Sequence, residues 1–257
     1  MNRTIIIAKK GLKVKDPILI EGLPGIGLVG KLAAEHLIKE LKAEKVAELY
    51  SPHFPHQVLM LKKGTIRMLK NKFYLWRNPA KNGRDLLLLV GDVQAVTPEA
   101  QFEVCGRILK FFQKFKGRTI YTLGGYGVGK VVDKPRVFGS ATSKEVVEKL
   151  KKDGVVFGET DGSIIGAAGL LLGIGKLKRL EGACLMGETH GGYVDAKSAQ
   201  SVLEVLTKIL GVKVDMGKLE ERAKEGEKFM RKMEKEVQKQ RELTGGAVKG
   251  EELTYIR

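Results

Sequence analysis

Cysteine is almost missing from this chain. Cys105 and Cys184 are the only two in 257 residues, and their separation is not a metal-ligand spacing. A disulfide framework and a zinc site are therefore excluded as organising devices, and both thiols are expected to be buried and reduced. Long apolar runs are missing as well. Ile5-Ile6-Ile7-Ala8 is shorter than the apolar region of a secretory signal, and the longest later run, Ile164 to Gly175, is rich in glycine and too short for a membrane span. The expected setting is the cytoplasm, with no membrane contact. Asparagine is scarce, with four residues, while lysine and glutamate are abundant, a balance that resembles thermophile proteins.

Acid is absent from one whole segment. From Ser51 to Arg84 there is no Asp or Glu, whereas Lys62, Lys63, Arg67, Lys70, Lys72, Arg77, Lys81 and Arg84 contribute eight of the formal net charge of +16. Such a patch attracts acidic partners, protein or nucleic acid. Phe73, Tyr74 and Trp76 interleave with the basic residues, but their period-2 alternation describes a strand with one core face and one solvated face. Nucleic acid is therefore an unlikely partner.

Hydrophobic residues at 43% suffice for a sizeable core, and 32 glycines imply many tight turns. The organising stretch is Gly22-Leu23-Pro24-Gly25-Ile26-Gly27-Leu28-Val29-Gly30. It follows the apolar run Ile18-Leu19-Ile20 and precedes a helical pattern from Leu28 to Leu41. Strand, glycine turn and helix together aim backbone N–H groups at a phosphate in nucleotide-binding folds. Gly25, Gly27 and Gly30 satisfy G-x-G-x-x-G, yet Glu44 and Glu48, the acids nearest the ribose position, fall before and within the next strand. Gly22, Gly25, Gly27 and Gly30 are thus read as a structural loop permitting a tight turn and close helix packing.

Further strands are expected at Thr4–Ile7, Val46–Tyr50, Val58–Leu61, Thr65–Leu69, Phe73–Arg77, Asp85–Gly91, Arg118–Leu123, Val155–Phe157 and Ala183–Glu188. Helices are expected from Thr97, whose apolar stripe would be Phe102, Cys105, Leu109, Phe112 and Phe115, from Thr142 to about Lys152, over Gly162–Leu177, and after Asp195. Strands alternating with helices predict an α/β/α sandwich with a mostly parallel sheet. A second glycine stretch, Gly124 to Lys130, lacks the Ser or Thr of a phosphate loop and is read as a long partner-facing loop.

Glu188 and His190, near the end of the last core strand, occupy a place suited to acid–base chemistry. No nucleophile motif accompanies them, so no catalytic residue is assigned. His53 and His56, in a proline-broken loop, lack companions for a metal site. No cofactor or metal is expected.

Beyond Gly211–Gly217 the composition changes. Residues 218–243 hold nine Lys/Arg and seven Asp/Glu. Leu219, Ala223, Gly226, Met230, Met233, Val237 and Gln240 alternate spacings of four and three, a weak heptad seam, with Met230 and Met233 as adaptable contacts. The tail ends in Leu253-Thr254-Tyr255-Ile256-Arg257, an apolar and aromatic tip suited to docking on a partner. The expected organisation is a core domain over 1–212, a charged C-terminal helix over 213–243 and a flexible tail over 244–257.

Four stretches together resemble the proteasome assembly chaperone family, its archaeal Pba-like members above all. They are Ile18–Gly30, Pro135–Thr142, Gly162–Gly173, and Gly187-Glu188-Thr189-His190-Gly191-Gly192-Tyr193 followed by Asp195. The resemblance spans roughly residues 4 to 212. It implies an α/β sandwich similar in layout to phosphorylases and hydrolases but without their catalysis. It further implies homo-oligomers that bind the proteasome core particle as assembly factor or activator. In that family a hydrophobic–tyrosine–any-residue C-terminus enters pockets between α-subunits. Here Tyr255 stands third from the end, with Thr254 before it, so the carboxylate falls one residue too far along; among the partner-binding residues Leu253, Tyr255, Ile256 and Arg257, Ile256 and Arg257 would provide an altered contact. The rival readings are a nucleotide- or nucleoside-binding enzyme using Gly22–Gly30 and a nucleic-acid binder using the 51–84 segment.

Overall fold

The computed structural model describes residues 3–158 and 162–221. Strands β1 (Ile5–Ala8), β2 (Ile18–Gly22), β3 (Glu44–Tyr50), β6 (Asn71–Trp76), β7 (Leu86–Gly91), β8 (Thr119–Gly127), β9 (Val137–Ala141) and β10 (Glu181–Thr189) form one sheet in the order β1-β3-β6-β7-β2-β8-β10-β9, and β4 (Val58–Met60) with β5 (Ile66–Met68) makes a separate hairpin. Helices α1 (Val29–Glu40), α2 (Pro98–Gln113), α3 (Lys144–Lys151), α4 (Ala167–Leu177) and α5 (Ala196–Leu210) pack on the sheet, and a single 3-10 turn over Ile26–Leu28 precedes α1.

The α/β sandwich read from the sequence is the architecture observed. Its parallel character is concentrated at the centre: β7, β2, β8 and β10 are mutually parallel, while β1, β3, β6 and β9 join the two sides antiparallel. The uninterrupted run Leu86-Leu87-Leu88-Leu89-Val90 explains why β7 is central, since all six of its residues are buried and a strand covered on both faces has no polar side. Leu87 and Leu89 enter the core layer beneath α2 and α4, whereas Leu86, Leu88 and Val90 enter the layer beneath α1 and α5.

Local sequence sets the helix starts. Thr97 accepts a hydrogen bond from the Ala100 N–H with Pro98 in the first turn, Ser143 caps α3 through the Val146 N–H, and Asp195 caps α5 through the Ser198 N–H. Gly211, at φ 65°, ends α5 in the left-handed region.

Several expectations need correction. Gly124–Gly127 is not a loop but the end of β8, held in register with residues 186–189 of β10. β9 was not expected as a strand, and Val155–Phe157 makes only one bridge, Phe138 with Val156. Helix α4 begins at Ala167 rather than Gly162, because Gly166 takes φ 86°, incompatible with a helix. Phe102 is 56% exposed; the buried stripe of α2 runs through Ala100, Val104, Cys105, Ile108, Leu109, Phe111 and Phe112. On α1 a face of Leu28, Leu32, Leu37 and Leu41 is expected, but the buried positions include Val29, Ala33, Ala34, Leu37 and Ile38, with Leu32 only half-buried.

Candidate functional site

In an open α/β sheet the crevice for a ligand lies beyond the carboxyl ends of the parallel strands. Here that end is built by the glycine turn after β2, the segment after β7 and the loop after β10. The chain leaves β2 at Gly22, makes a single 3-10 turn over Ile26–Leu28, with Gly27 at φ 61° and Leu28 at φ 51°, and enters α1. A Cβ on Gly22 would overlap the Gly30 carbonyl and the Ala34 methyl, and one on Gly30 would overlap the Leu123 carbonyl. The absent side chains thus let α1 lie directly on β2 and β8. A Cβ on Gly27 would come within 2.8 Å of Thr189 Oγ1. At Gly25 there is open space.

Three of the turn's carbonyls are bonded by the chain's own groups. The Gly27 carbonyl accepts the Asp195 N–H at 2.9 Å, and the Gly25 carbonyl accepts the Leu28 N–H at 2.9 Å. Thr189 Oγ1 donates to Asp195 Oδ2 at 2.7 Å in a buried pair, tying the end of β10 to the cap of α5. Gln94 braces the other side: its Nε2 donates to the Pro24 carbonyl at 2.7 Å, and its Oε1 accepts the Ala167 N–H at 2.8 Å. That second bond caps α4, whose own N-cap residue, Gly166, has no side chain to offer.

Glu21 is a feature missed by sequence reasoning. It is 1% exposed and points, with Leu19, into the layer beneath α2 and α4. Strand register places Thr122 directly beside it on β8 and Cys184 beside Thr122 on β10. Glu21 Oε1 accepts the Leu23 N–H at 2.9 Å, while Oε2 has no partner among the described residues. Burial pushes the carboxyl up to about 7, against the opposing effect of that backbone bond. Burial likewise pushes the Cys105 and Cys184 thiols up to about 12. The only sequence signal is an acid at the end of an apolar run, directly before the glycine turn.

Glu188 and His190 go separate ways. Arg136 donates to Glu188 from its backbone N–H (2.9 Å) and from its guanidinium Nη2 (2.8 Å), and that guanidinium lies 4.8 Å from the Phe138 ring centre. The Arg136 hydrogen bonds hold the Glu188 carboxyl below the usual range despite its burial. His190 packs against Tyr193, with ring centres 5.6 Å apart, and its Nδ1 accepts the Gly192 N–H at 3.2 Å. A carboxylate held ionised by arginine is a poor proton donor near neutral pH.

The basic segment is partly neutralised by acids from other elements. Arg67 pairs with Asp92, Lys70 with Glu48, Arg77 with Glu44 and Arg84 with Asp16. Lys62 and Lys63, at the tip of the β4–β5 hairpin, are exposed.

Of the expected C-terminal extension, the structure describes only its beginning. Leu219 is buried beside residues of α1 and α5, and the Asp215 carbonyl lies 2.6 Å from His36 Nε2. Met230, Met233, Leu253, Tyr255, Ile256 and Arg257 lie outside the described residues. Among the described residues, no helix is long and apolar enough to cross a membrane.

A model of the PAC2 family matches residues 19–234. Pyrococcus furiosus PbaB, described as an archaeal proteasome activator, is similar at 49% identity and TM-score 0.87, covering 91% of this chain and 100% of that one. PbaA of the same organism, described as an archaeal homolog of proteasome-assembly chaperone, is similar at 29% identity and TM-score 0.75, covering 95% of this chain and 97% of that one. An uncharacterized protein of Methanocaldococcus jannaschii is 43% identical over 229 residues, 87% of each chain.

Proposed function

The chain belongs to the PAC2 family, and from that premise we propose that it is a non-enzymatic, homo-oligomeric partner of the proteasome core particle, acting in the cytoplasm. The observation that carries the reading is its 49% identity to PbaB across the whole of that chain, against 29% to PbaA. The difference favours the activator role over the assembly role. A non-catalytic role is supported by the chain's own use of its candidate crevice: Gln94 and Asp195 bond carbonyls of the turn, Thr189 ties itself to Asp195 beside it, and Arg136 neutralises Glu188.

In this reading residues 1–212 form the core domain that self-associates. The charged segment over 213–243 would offer Met230 and Met233, and the tail over 244–257 would carry Leu253, Tyr255, Ile256 and Arg257 to the α-subunits. A pull-down with archaeal core particles tests it, comparing the full chain with one lacking residues 251–257. The full chain is expected to bind and the truncation to lose most of that binding. Equal binding by both would remove the tail from the account, and no binding by the full chain would remove the account itself.

A further inference from the structure

The β4–β5 hairpin is amphipathic the wrong way round. Strand pairing sets Val58 opposite Met68, Leu59 opposite Arg67 and Met60 opposite Ile66. Side chains alternate along a strand, so Leu59 and Arg67 share one face while Val58, Met60, Ile66 and Met68 share the other. The face carrying the charge is the one turned inward. Leu59 packs against the core, and Arg67 grips Asp92 with two bonds, Nη1 to Oδ2 at 2.5 Å and Nη2 to Oδ1 at 3.0 Å. Asp92 also accepts the Lys70 N–H at 3.0 Å. These contacts fix which face looks out, and the outward face is wholly apolar: Met60 is 88% exposed, Ile66 67%, Met68 51% and Val58 45%.

Single exposed apolar side chains are ordinary, but four side by side on a two-stranded element are the mark of a surface meant to be covered. The electrostatics choose the cover. Lys62 and Lys63 stand at the hairpin tip, and no acid occurs in sequence from Ser51 to Arg84. A second copy packed parallel on the same face would bring Lys62 and Lys63 against their own counterparts, whereas an acidic segment meets them with opposite charge. A lipid surface is the poorer match, because the hairpin offers no tryptophan or tyrosine to sit at the interface. Methionine, with its flexible and polarisable side chain, suits irregular protein surfaces.

We infer that the outer face of the β4–β5 hairpin is a docking surface for an acidic protein segment, one whose apolar residues cover Val58, Met60, Ile66 and Met68 while its carboxylates meet Lys62 and Lys63. Among the described residues β4 and β5 pair only with each other, so such a segment can add to the hairpin as a further strand. The inference does not depend on the proteasome being the partner.

The test uses the full chain and fluorescent peptides alternating valine with glutamate, lysine or serine. Fluorescence anisotropy is expected to show the glutamate peptide bound at least about tenfold more tightly than the other two. The double substitution Met60→Ser with Ile66→Ser, which leaves the charge unchanged, is expected to weaken that binding by at least about tenfold. Met60→Leu is expected to retain it. An unchanged melting temperature shows that each variant is folded. Equal binding by the double variant would overturn the inference, as would equal binding of the lysine peptide. Binding to phosphatidylserine vesicles that the double variant loses would transfer the face to a membrane. A larger oligomer in the wild type than in the double variant, by light scattering, would give it to a second copy; either result overturns the inference. Failure of the core-particle pull-down leaves it standing.

Discussion

Gly30 meets Leu123 backbone against backbone: the Gly30 Cα faces the Leu123 carbonyl so closely that a Cβ would overlap it. The obstacle is main chain of a central strand, which cannot rotate away. Gly30→Ala is therefore expected to destabilise the protein by about 3 kcal/mol or more, the range of severe overpacking. Gly25→Ala, in the same turn, meets nothing within 4 Å and has an extended φ of −156°. It is expected to change stability by no more than about 0.5 kcal/mol. Urea denaturation of the two variants checks the contrast; equal losses would show that the turn's glycines serve something other than packing.

Glu21 makes stability depend on pH in an unusual direction. Its folded value is raised to about 7 from an ordinary 4.5. Between those values the native state holds a proton that the unfolded chain has released. The contribution is fully present below about pH 4.5 and is lost as pH rises toward about 7, on the order of 3 kcal/mol across the window. Glu21→Gln keeps a neutral side chain throughout, so its stability is expected to gain on the wild type as pH rises from 5 to 8. Parallel pH profiles for the two proteins, measured by chemical denaturation, would contradict the assignment.

Cys105 and Cys184 are predicted to be inert. Burial pushes both thiols up to about 12, leaving almost no thiolate at neutral pH. A colorimetric thiol reagent should find none in the native protein and two after denaturation. Fast reaction in the native state would mean that the layer beneath α2 opens readily.

Gln94 joins three segments that sequence keeps far apart. Gln94→Ala removes the bond to the Pro24 carbonyl and leaves the Ala167 N–H without its cap. A loss of about 1–2 kcal/mol is expected. Hydrogen exchange should locate it at the first turn of α4. Faster exchange spread evenly over the whole chain would place the effect elsewhere.

What could be read in the sequence follows the range of the interactions. Thr97, Ser143 and Asp195 announce their helices because a cap acts within three residues. The apolar run of β7 announces a central strand in the same local way. Gly124–Gly127 has no such signal, since its strand character comes from pairing with β10 some sixty residues later. The burial of Glu21 depends on α2 and on β10, and the Arg136–Glu188 pair spans 52 residues. The family resemblance reached the fold because it rests on four separated stretches at once. The two strands of the β4–β5 hairpin are legible in the sequence, but its outward apolar face becomes visible only when Arg67 is seen to turn inward onto Asp92.

The most direct test of the central claim is peptide hydrolysis by a purified archaeal core particle titrated with the full-length protein. The account predicts a saturable increase in the rate that disappears when residues 251–257 are removed. An unchanged rate at every concentration, with no complex seen by native mass spectrometry, would contradict it.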